Sequence, residues 1–161
     1  MSYRERREQR RRKAEQVNKA VRLVIPGDPI PQHRARACSR GKHAAVYSDQ
    51  AQQYADFKVK TLERYPGQPL DGPLEVILFF QIGRPKAHYG TGRNAGTLKA
   101  SAPKFHTKTP DVDNLAKFTL DACNGGVIWK DDALVASLSA FKRYVEPGET
   151  PATIINVRGL D

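Results

Sequence analysis

The sequence predicts a compact single domain of the α/β class, of the α+β type, with a mixed β-sheet packed by two main helices. Short apolar runs bounded by Pro and Gly are typical of strands, and two further segments have helical spacing. The 161 residues suit one domain with a substantial core, and 39% of them are hydrophobic. The apolar runs are far shorter than the roughly 20 residues of a membrane-spanning helix, so we expect no membrane partner.

Five apolar runs are predicted to be strands. Residues 21–25 alternate loosely up to a Pro-Gly turn, and residues 74–82 form a β-rich run long enough for a buried strand. Residues 127–129 form a short apolar strand. Residues 134–144 and 153–158 then follow as two strands joined by a Pro-Gly turn.

Two helices and two loops complete the predicted order. Ser48 is placed to cap the first helix, which continues with apolar residues at helical spacing. The second helix spans residues 113–123 and ends at a Gly-Gly pair. Residues 29–42 and 83–108 are interpreted as loops, and a loop as long as the second is usually functional or mobile in a small domain.

The positive charge is concentrated in three stretches. The formal net charge is +10; residues 1–19 hold eight Arg or Lys against three Glu, while residues 32–42 and 84–108 contain basic residues and no acid. Basic stretches around a more acidic body are typical of proteins that bind nucleic acid, although ordinary solubility charge is an alternative, more so for the first stretch than for the two acid-free ones. We therefore divide the chain into a basic N-terminal extension at residues 1–19, disordered or helical, and a domain at residues 20–161.

Two cysteines are too few for a disulfide scaffold or a zinc site, and the N-terminus lacks the apolar segment of a secretory signal. We therefore expect free thiols and a cytoplasmic location.

Asp111 and Asp113 are the first candidates for chemistry. Two carboxylates two residues apart in an extended segment point the same way, and a cation between them relieves their repulsion. The alternative is that Asp113 only caps the second helix and Asp111 is a solvated turn residue. For an isolated Asp-x-Asp pair, that alternative is the more frequent outcome.

Neighbouring residues favour a metal site. Lys117 follows Asp113 by one helical turn, where it either forms an ordinary ion pair or neutralises the acids and contacts a phosphate. Asp121 lies one turn further, and its simplest role is to pair with Lys117. Asp131 and Asp132 end an apolar run, where adjacent acids need a cation or a basic partner. Carboxylates without a His or Cys cluster suit Mg²⁺ or Mn²⁺, which promote phosphodiester hydrolysis.

A signature of acids, lysine and Asn-Gly occupies the segment that contains these residues. The chain reads Pro-Asp-Val-Asp-Asn-Leu-Ala-Lys at 110–117, Asp-Ala-Cys-Asn-Gly at 121–125 and Trp-Lys-Asp-Asp at 129–132. This signature resembles that of the RusA family of Holliday-junction resolvases in residue type and spacing. Weaker similarity extends over most of residues 21–158, and Leu134 departs from it because relatives often have Gln there.

The resemblance implies a crossover junction endodeoxyribonuclease of DNA recombination and repair that requires Mg²⁺ or Mn²⁺. It implies that Asp111, Asp113 and Asp132 are catalytic, metal-binding acids, that Lys117 is the essential lysine, and that Asp131 is an additional candidate ligand. The candidate DNA contacts, which come mainly from the basic stretches, are Arg34, Arg36, Arg93, Lys99, Lys104, His106, Lys108 and Lys142. The family further implies a homodimer with two active sites, suited to paired nicks in branched DNA, and suggests a phage-related origin.

The sequence leaves the roles of three residues of the long loop undecided. Phe105 and Tyr89 either stack at the centre of a junction or pin the loop to the domain. His106 is a candidate phosphate contact or general base, although a loop histidine is more often neither.

Three other functions remain as alternatives. A non-catalytic nucleic-acid-binding protein would use the acids as caps and ion pairs. A metal-dependent nuclease with a preference for flaps or replication forks would differ only in substrate. An enzyme acting on nucleotides or nucleotide sugars is disfavoured because the sequence lacks a Gly-rich phosphate loop after a strand.

Overall fold

The computed structural model describes residues 2–8, 20–33, 36–40, 43–47 and 50–160, with the backbone alone for residues 36–40 and 43–47. Arg34, Ser48 and most of the basic N-terminal extension lie outside these residues, and residues 3–8 are helical. Over the described ranges, no helix is long and apolar enough to cross a membrane.

Strands and helices follow one another largely in the predicted order. For five elements, the predicted and the observed bounds differ by at most one residue at either end. A further strand, which begins at Arg36, was not predicted. The elements are β1 (Val21–Pro26), β2 (Arg36–Arg40), β3 (His43–Tyr47), α1 (Ala51–Arg64), β4 (Leu74–Ile82), α2 (Val112–Cys123), β5 (Val135–Tyr144) and β6 (Ala152–Gly159).

A four-stranded mixed sheet forms the centre of the fold, as predicted. Its order is β1-β6-β4-β5, in which β4 and β5 are parallel and the other pairs are antiparallel. β2 and β3 form a separate antiparallel hairpin. A parallel pair requires a connection that returns to the start of the first strand. Here residues 83–134 make that return, and α2 is the helix within it.

Both helices pack on one face of the sheet. Alternate residues of β4 are buried, as Leu78 is, because successive side chains of a strand point to opposite faces. Phe118 of α2 is fully buried, with its ring stacked on Tyr54 at 4.5 Å between centroids and in edge contact with Phe57 at 5.6 Å. These aromatic contacts join α1 to α2 above the sheet.

Two sequence-based expectations were wrong. The loop predicted for residues 29–42 contains β2, whose Arg, Cys and Ser residues do not alternate. Residues 127–129 form no strand, because Gly125 and Gly126 adopt positive φ in a turn that leaves a single bridge between Trp129 and Leu70. The predicted Pro-Gly turn between β5 and β6 is present, and each of these strands pairs with β4.

The turn after β5 is closed by an ion pair with two hydrogen bonds. The guanidinium of Arg143 donates to the two carboxylate oxygens of Glu149 at 2.6 and 2.8 Å, and the Glu146 amide donates to the same carboxylate at 2.7 Å. The Arg143 contact, followed by that amide, lowers the pKa of Glu149 to about 2.

We expect Glu149→Gln to reduce stability in a pH-dependent manner. Because the carboxyl pKa is lower in the folded state, the contribution of Glu149 is complete above its ordinary pKa and is lost as the pH falls towards 2. Chemical denaturation of both proteins across this range should show their difference in unfolding free energy shrinking to zero. Glu63→Gln, on the surface of α1, is the control and should show a small difference throughout. A Glu149→Gln difference that is constant with pH would contradict the expectation.

Candidate active site

The first pair of acids lies at the N-terminal end of α2. The helix begins at Val112, so Asp111 is its N-cap residue and Asp113 lies in the first turn. Asp113 therefore does not cap α2, and it lies in the helix rather than in the extended segment that was predicted for both acids. The Asp111 carbonyl accepts the Leu115 amide at 3.1 Å, whereas the Asp111 side chain makes no cap hydrogen bond. Both carboxylates are exposed at a helix end where the dipole favours negative charge.

Lys142 fixes the residues immediately before Asp111. Its Nζ donates to the carbonyl oxygens of Lys108 and Pro110, at 2.7 Å in each case. An ammonium group has three donors, so two of the three are used on the backbone. The half-buried Lys142 therefore holds the approach to α2 against β5; a DNA contact for this residue remains a prediction.

The two acids of the second pair, Asp131 and Asp132, differ in their hydrogen bonds. Asp131 precedes a single 3-10 turn, Asp132–Leu134, and its carboxylate accepts the Ala133 amide at 2.8 Å. The Asp132 side chain is exposed. The resemblance implies that Asp132 is a catalytic, metal-binding acid and that Asp131 is only an additional candidate ligand; in the structure the carboxylate of Asp131 has a local capping role.

The two pairs of acids lie towards opposite ends of β5. Asp132 comes three residues before Val135, the first residue of β5, whereas Pro110 is bound to Lys142 near the end of the same strand. The twelve residues of α2 span about 18 Å between them. In the part of the chain that the structure describes, no group of three or more His, Cys, Asp or Glu side chains is placed to hold a metal ion. One chain therefore presents Asp111 and Asp113 without Asp132 beside them.

Lys117 is exposed one turn after Asp113 on α2. Asp121 was expected to pair with Lys117, but its carboxylate lies 3.5 Å from the hydroxyl of Tyr54 on α1. Burial, followed by the charge of Asp121, raises the pKa of that hydroxyl, which therefore remains a donor. Asp121 thus contributes to the contact between the helices.

The Pro-rich loop after β1 is bound to both helices. Gln50, fully buried before α1, accepts the His33 amide at 2.6 Å and donates to the Pro31 carbonyl at 2.9 Å. The Gln32 amide donates to the Asn114 carbonyl in the first turn of α2 at 2.8 Å. Sequence reasoning missed Gln50, because a glutamine near a helix start gives no signal of burial. These bonds hold the loop near the first pair of acids.

The long basic loop contains an ordered hairpin, which we call the finger (residues 86–99). Tyr89 pairs with Leu98 in an antiparallel bridge, and the Lys99 amide donates to the His88 carbonyl at 3.0 Å. The tip is exposed and carries Arg93. The loop predicted here is confirmed, and its candidate DNA contacts with exposed side chains are Arg93, Lys99, Lys104 and Lys108.

A buried arginine that sequence reasoning missed anchors the base of the finger. The Arg84 side chain is only 2% exposed, and it donates to the Val145 carbonyl at 2.6 Å and to the Pro103 carbonyl at 2.8 Å. Its guanidinium also lies 5.3 Å from the centre of the Tyr144 ring. In the sequence, Arg84 looks like the other basic residues of an acid-free loop, so nothing distinguishes it from a DNA contact.

His106 is packed into the domain. It is 7% exposed, and its ring meets the edge of Tyr144 with 4.9 Å between centroids. Burial, followed by the charges of Lys142 and Lys108, lowers the pKa of His106 and favours the neutral ring. A phosphate contact or a general-base role for His106 stays a prediction.

A comparison with protein families places the chain in a known group. The family model of endodeoxyribonuclease RusA matches residues 26–158, which is well over half of the chain. The chain belongs to the RusA family. The resemblance seen in the sequence is thus confirmed. The members of this family are endonucleases that act on Holliday junctions. The RusA match includes all the candidate site residues, from Arg34 to Lys142, and leaves residues 1–19 outside. A search of curated proteins found no match.

We expect Lys142→Met to destabilise the protein more than it weakens DNA binding. Two carbonyls would lose a charged donor, so the free energy of unfolding should fall by about 1–3 kcal/mol. The slope of DNA affinity against salt should stay unchanged. Lys104→Met is the matched control and should reduce the salt slope by about one unit without loss of stability. Unchanged stability of Lys142→Met together with a reduced slope would identify Lys142 as a phosphate contact instead.

Proposed function

We propose that the chain is a Mg²⁺-dependent endodeoxyribonuclease that resolves four-way DNA junctions by paired nicks. The observation that carries this proposal is the pair of exposed carboxylates, Asp111 and Asp113, at the start of α2. Asp111 makes no cap hydrogen bond, and both acids directly follow the basic loop. A protein that only binds DNA gains nothing from uncompensated acids beside a phosphate-binding surface, since they repel the phosphates.

The acids suit Mg²⁺ in their chemistry. Asp111, Asp113 and Asp132 offer hard carboxylate oxygens at exposed positions, and Mn²⁺ accepts the same ligands. We assign Asp131 a smaller part, because its carboxylate accepts the Ala133 amide. A metal ion bound by these acids would polarise the scissile phosphate and stabilise the leaving oxygen. Lys117, one turn from Asp113, is positioned on α2 to bind the phosphate beside them.

The proposed homodimer provides a route by which Asp132 reaches the other acids. β5 lies at the edge of the sheet, where Leu138 and Phe141 are 45% and 54% exposed, and an edge strand readily pairs with another chain. Two-fold symmetry makes two copies of β5 antiparallel. The start of one strand, with Asp132, then lies beside the end of the other, near Asp111. We propose that each active site takes acids from both copies.

The finger and the lysines after it are proposed to bind the DNA backbone. The exposed Arg93, Lys99, Lys104 and Lys108 lie on a stretch without acids that leads directly to Asp111. Phosphate contacts of this kind supply affinity that falls steeply with salt. They orient DNA on the protein, while the acids and Lys117 act at the scissile phosphate.

We expect nicking of a synthetic four-way junction that requires Mg²⁺ or Mn²⁺ and is lost in Asp111→Asn and Asp132→Asn. Both variants should still bind the junction, because neither removes a basic residue. Asp56→Asn, an exposed acid on α1, is the control and should nick normally. The assay compares the junction with linear duplex, flap and fork substrates of the same sequence. Undiminished nicking by the Asp111 and Asp132 variants would disprove the assignment, and a preference for flaps or forks would change the substrate.

We expect a mixture of the Asp111→Asn and Asp132→Asn variants to regain nicking, although each is inactive alone. In a mixed dimer, one composite site combines the intact Asp111 of one copy with the intact Asp132 of the other. A single intact site per mixed dimer should give unpaired nicks. The gel assay measures nicking after the two variants are co-refolded or co-expressed. No recovery, with mixed dimers demonstrated, would show that each site is built within one chain.

A further inference from the structure

Phe105 is an exposed aromatic residue in the basic segment that leads to Asp111. Its side chain is 65% exposed. The sequence leaves two roles open for it, namely stacking on DNA and pinning the loop to the domain. In the structure the pinning is done by Arg84, which binds the Pro103 carbonyl, and by Lys142, which binds carbonyls further along the segment. The exposed ring of Phe105 takes no part in this anchoring.

The backbone around Phe105 holds the ring outward. Phe105 forms an antiparallel bridge with Arg143, and the Tyr144 amide donates to the Lys104 carbonyl at 3.0 Å. Successive side chains of such an extended segment point to opposite sides. Because His106 is buried against Tyr144, Phe105 is directed to solvent. A ring held in place loses little conformational entropy when it binds a partner.

The charge around Phe105 fits nucleic acid. Lys104 and Lys108 are exposed on the same segment, and no acidic residue lies between positions 84 and 108. A comparison is provided by Phe79, which is 39% exposed on the face of the sheet away from the helices. The ring of Phe79 stacks on that of Phe141, with 5.2 Å between the centroids, so one of its faces is already covered. Phe105 lies opposite Arg143, which is paired with Glu149, so the free positive charge near its ring comes from Lys104 and Lys108.

We propose that Phe105 recognises the branch point of the DNA by stacking on an unpaired or unstacked nucleobase. Lys104 and Lys108 bind the phosphates on either side of that base. A base within linear duplex is already stacked and offers no such face, so Phe105 distinguishes branched from linear DNA. The inference rests on the proposed action on branched DNA and assigns the selectivity to one side chain.

The test measures binding rather than cleavage, so it does not depend on the nuclease activity. A four-way junction that carries 2-aminopurine at the branch point and a linear duplex of the same sequence are titrated in EDTA. The proteins are the unmodified chain, Phe105→Ala, Phe105→Trp and the control Phe79→Ala. Anisotropy reports the affinity, and the 2-aminopurine fluorescence reports whether the base contacts the protein.

Phe105→Ala should bind the junction about tenfold more weakly and remove the fluorescence change, with duplex affinity unchanged. Phe105→Trp should retain both junction properties, and Phe79→Ala should match the unmodified chain. The inference is wrong if Phe105→Ala weakens both DNAs equally or neither, or if Phe79→Ala gives the same loss. It is also wrong if the unmodified chain binds both DNAs equally. The unmodified chain could instead prefer the junction, lose that preference in Phe105→Ala, and yet never nick the junction. In that case the proposed nuclease function fails and the inference stands.

Discussion

The parallel pairing of β4 and β5 is the constraint on which the rest of the structure depends. Because two parallel strands start at the same edge, the chain must travel back along the sheet between them. That return path contains the finger, both pairs of acids and α2. The length of α2 then sets the separation between Asp111 and Asp132 within one chain. The geometry of the candidate site therefore follows from the topology of the sheet.

Around this return path, basic side chains have two distinct roles. Arg84 and Lys142 use their charge on backbone carbonyls and fix the segment that ends at Asp111. The exposed residues of the same stretch, such as Arg93 and Lys108, remain available to phosphates. A fixed segment holds both the DNA-binding side chains and the acids at defined positions. Precise placement of this kind is what a phosphoryl-transfer site requires.

Much of the fold could be predicted from the sequence, because alternation and helical spacing record which side of each element is buried. β4 and α2 were found by these signals, and the residue types at the acids indicated a metal-dependent nuclease. Spacing along the chain does not record tertiary distance, so the separation of Asp132 from Asp111 could not be predicted. Charge alone also cannot tell a buried arginine such as Arg84 from an exposed one, since the difference lies in which carbonyls surround it.

The anchoring of the base of the finger by Arg84 has an evolutionary consequence. Arg84 ties the two ends of the loop together, so residues 86–102 leave the domain and return to it at nearly the same place. The entropy cost of a longer loop grows only slowly with its length once its ends are joined. Insertions, deletions and substitutions within residues 86–102 can therefore leave Asp111 and Asp113 undisturbed. A lineage can vary the DNA contacts of this segment while its hydrolytic residues stay in place.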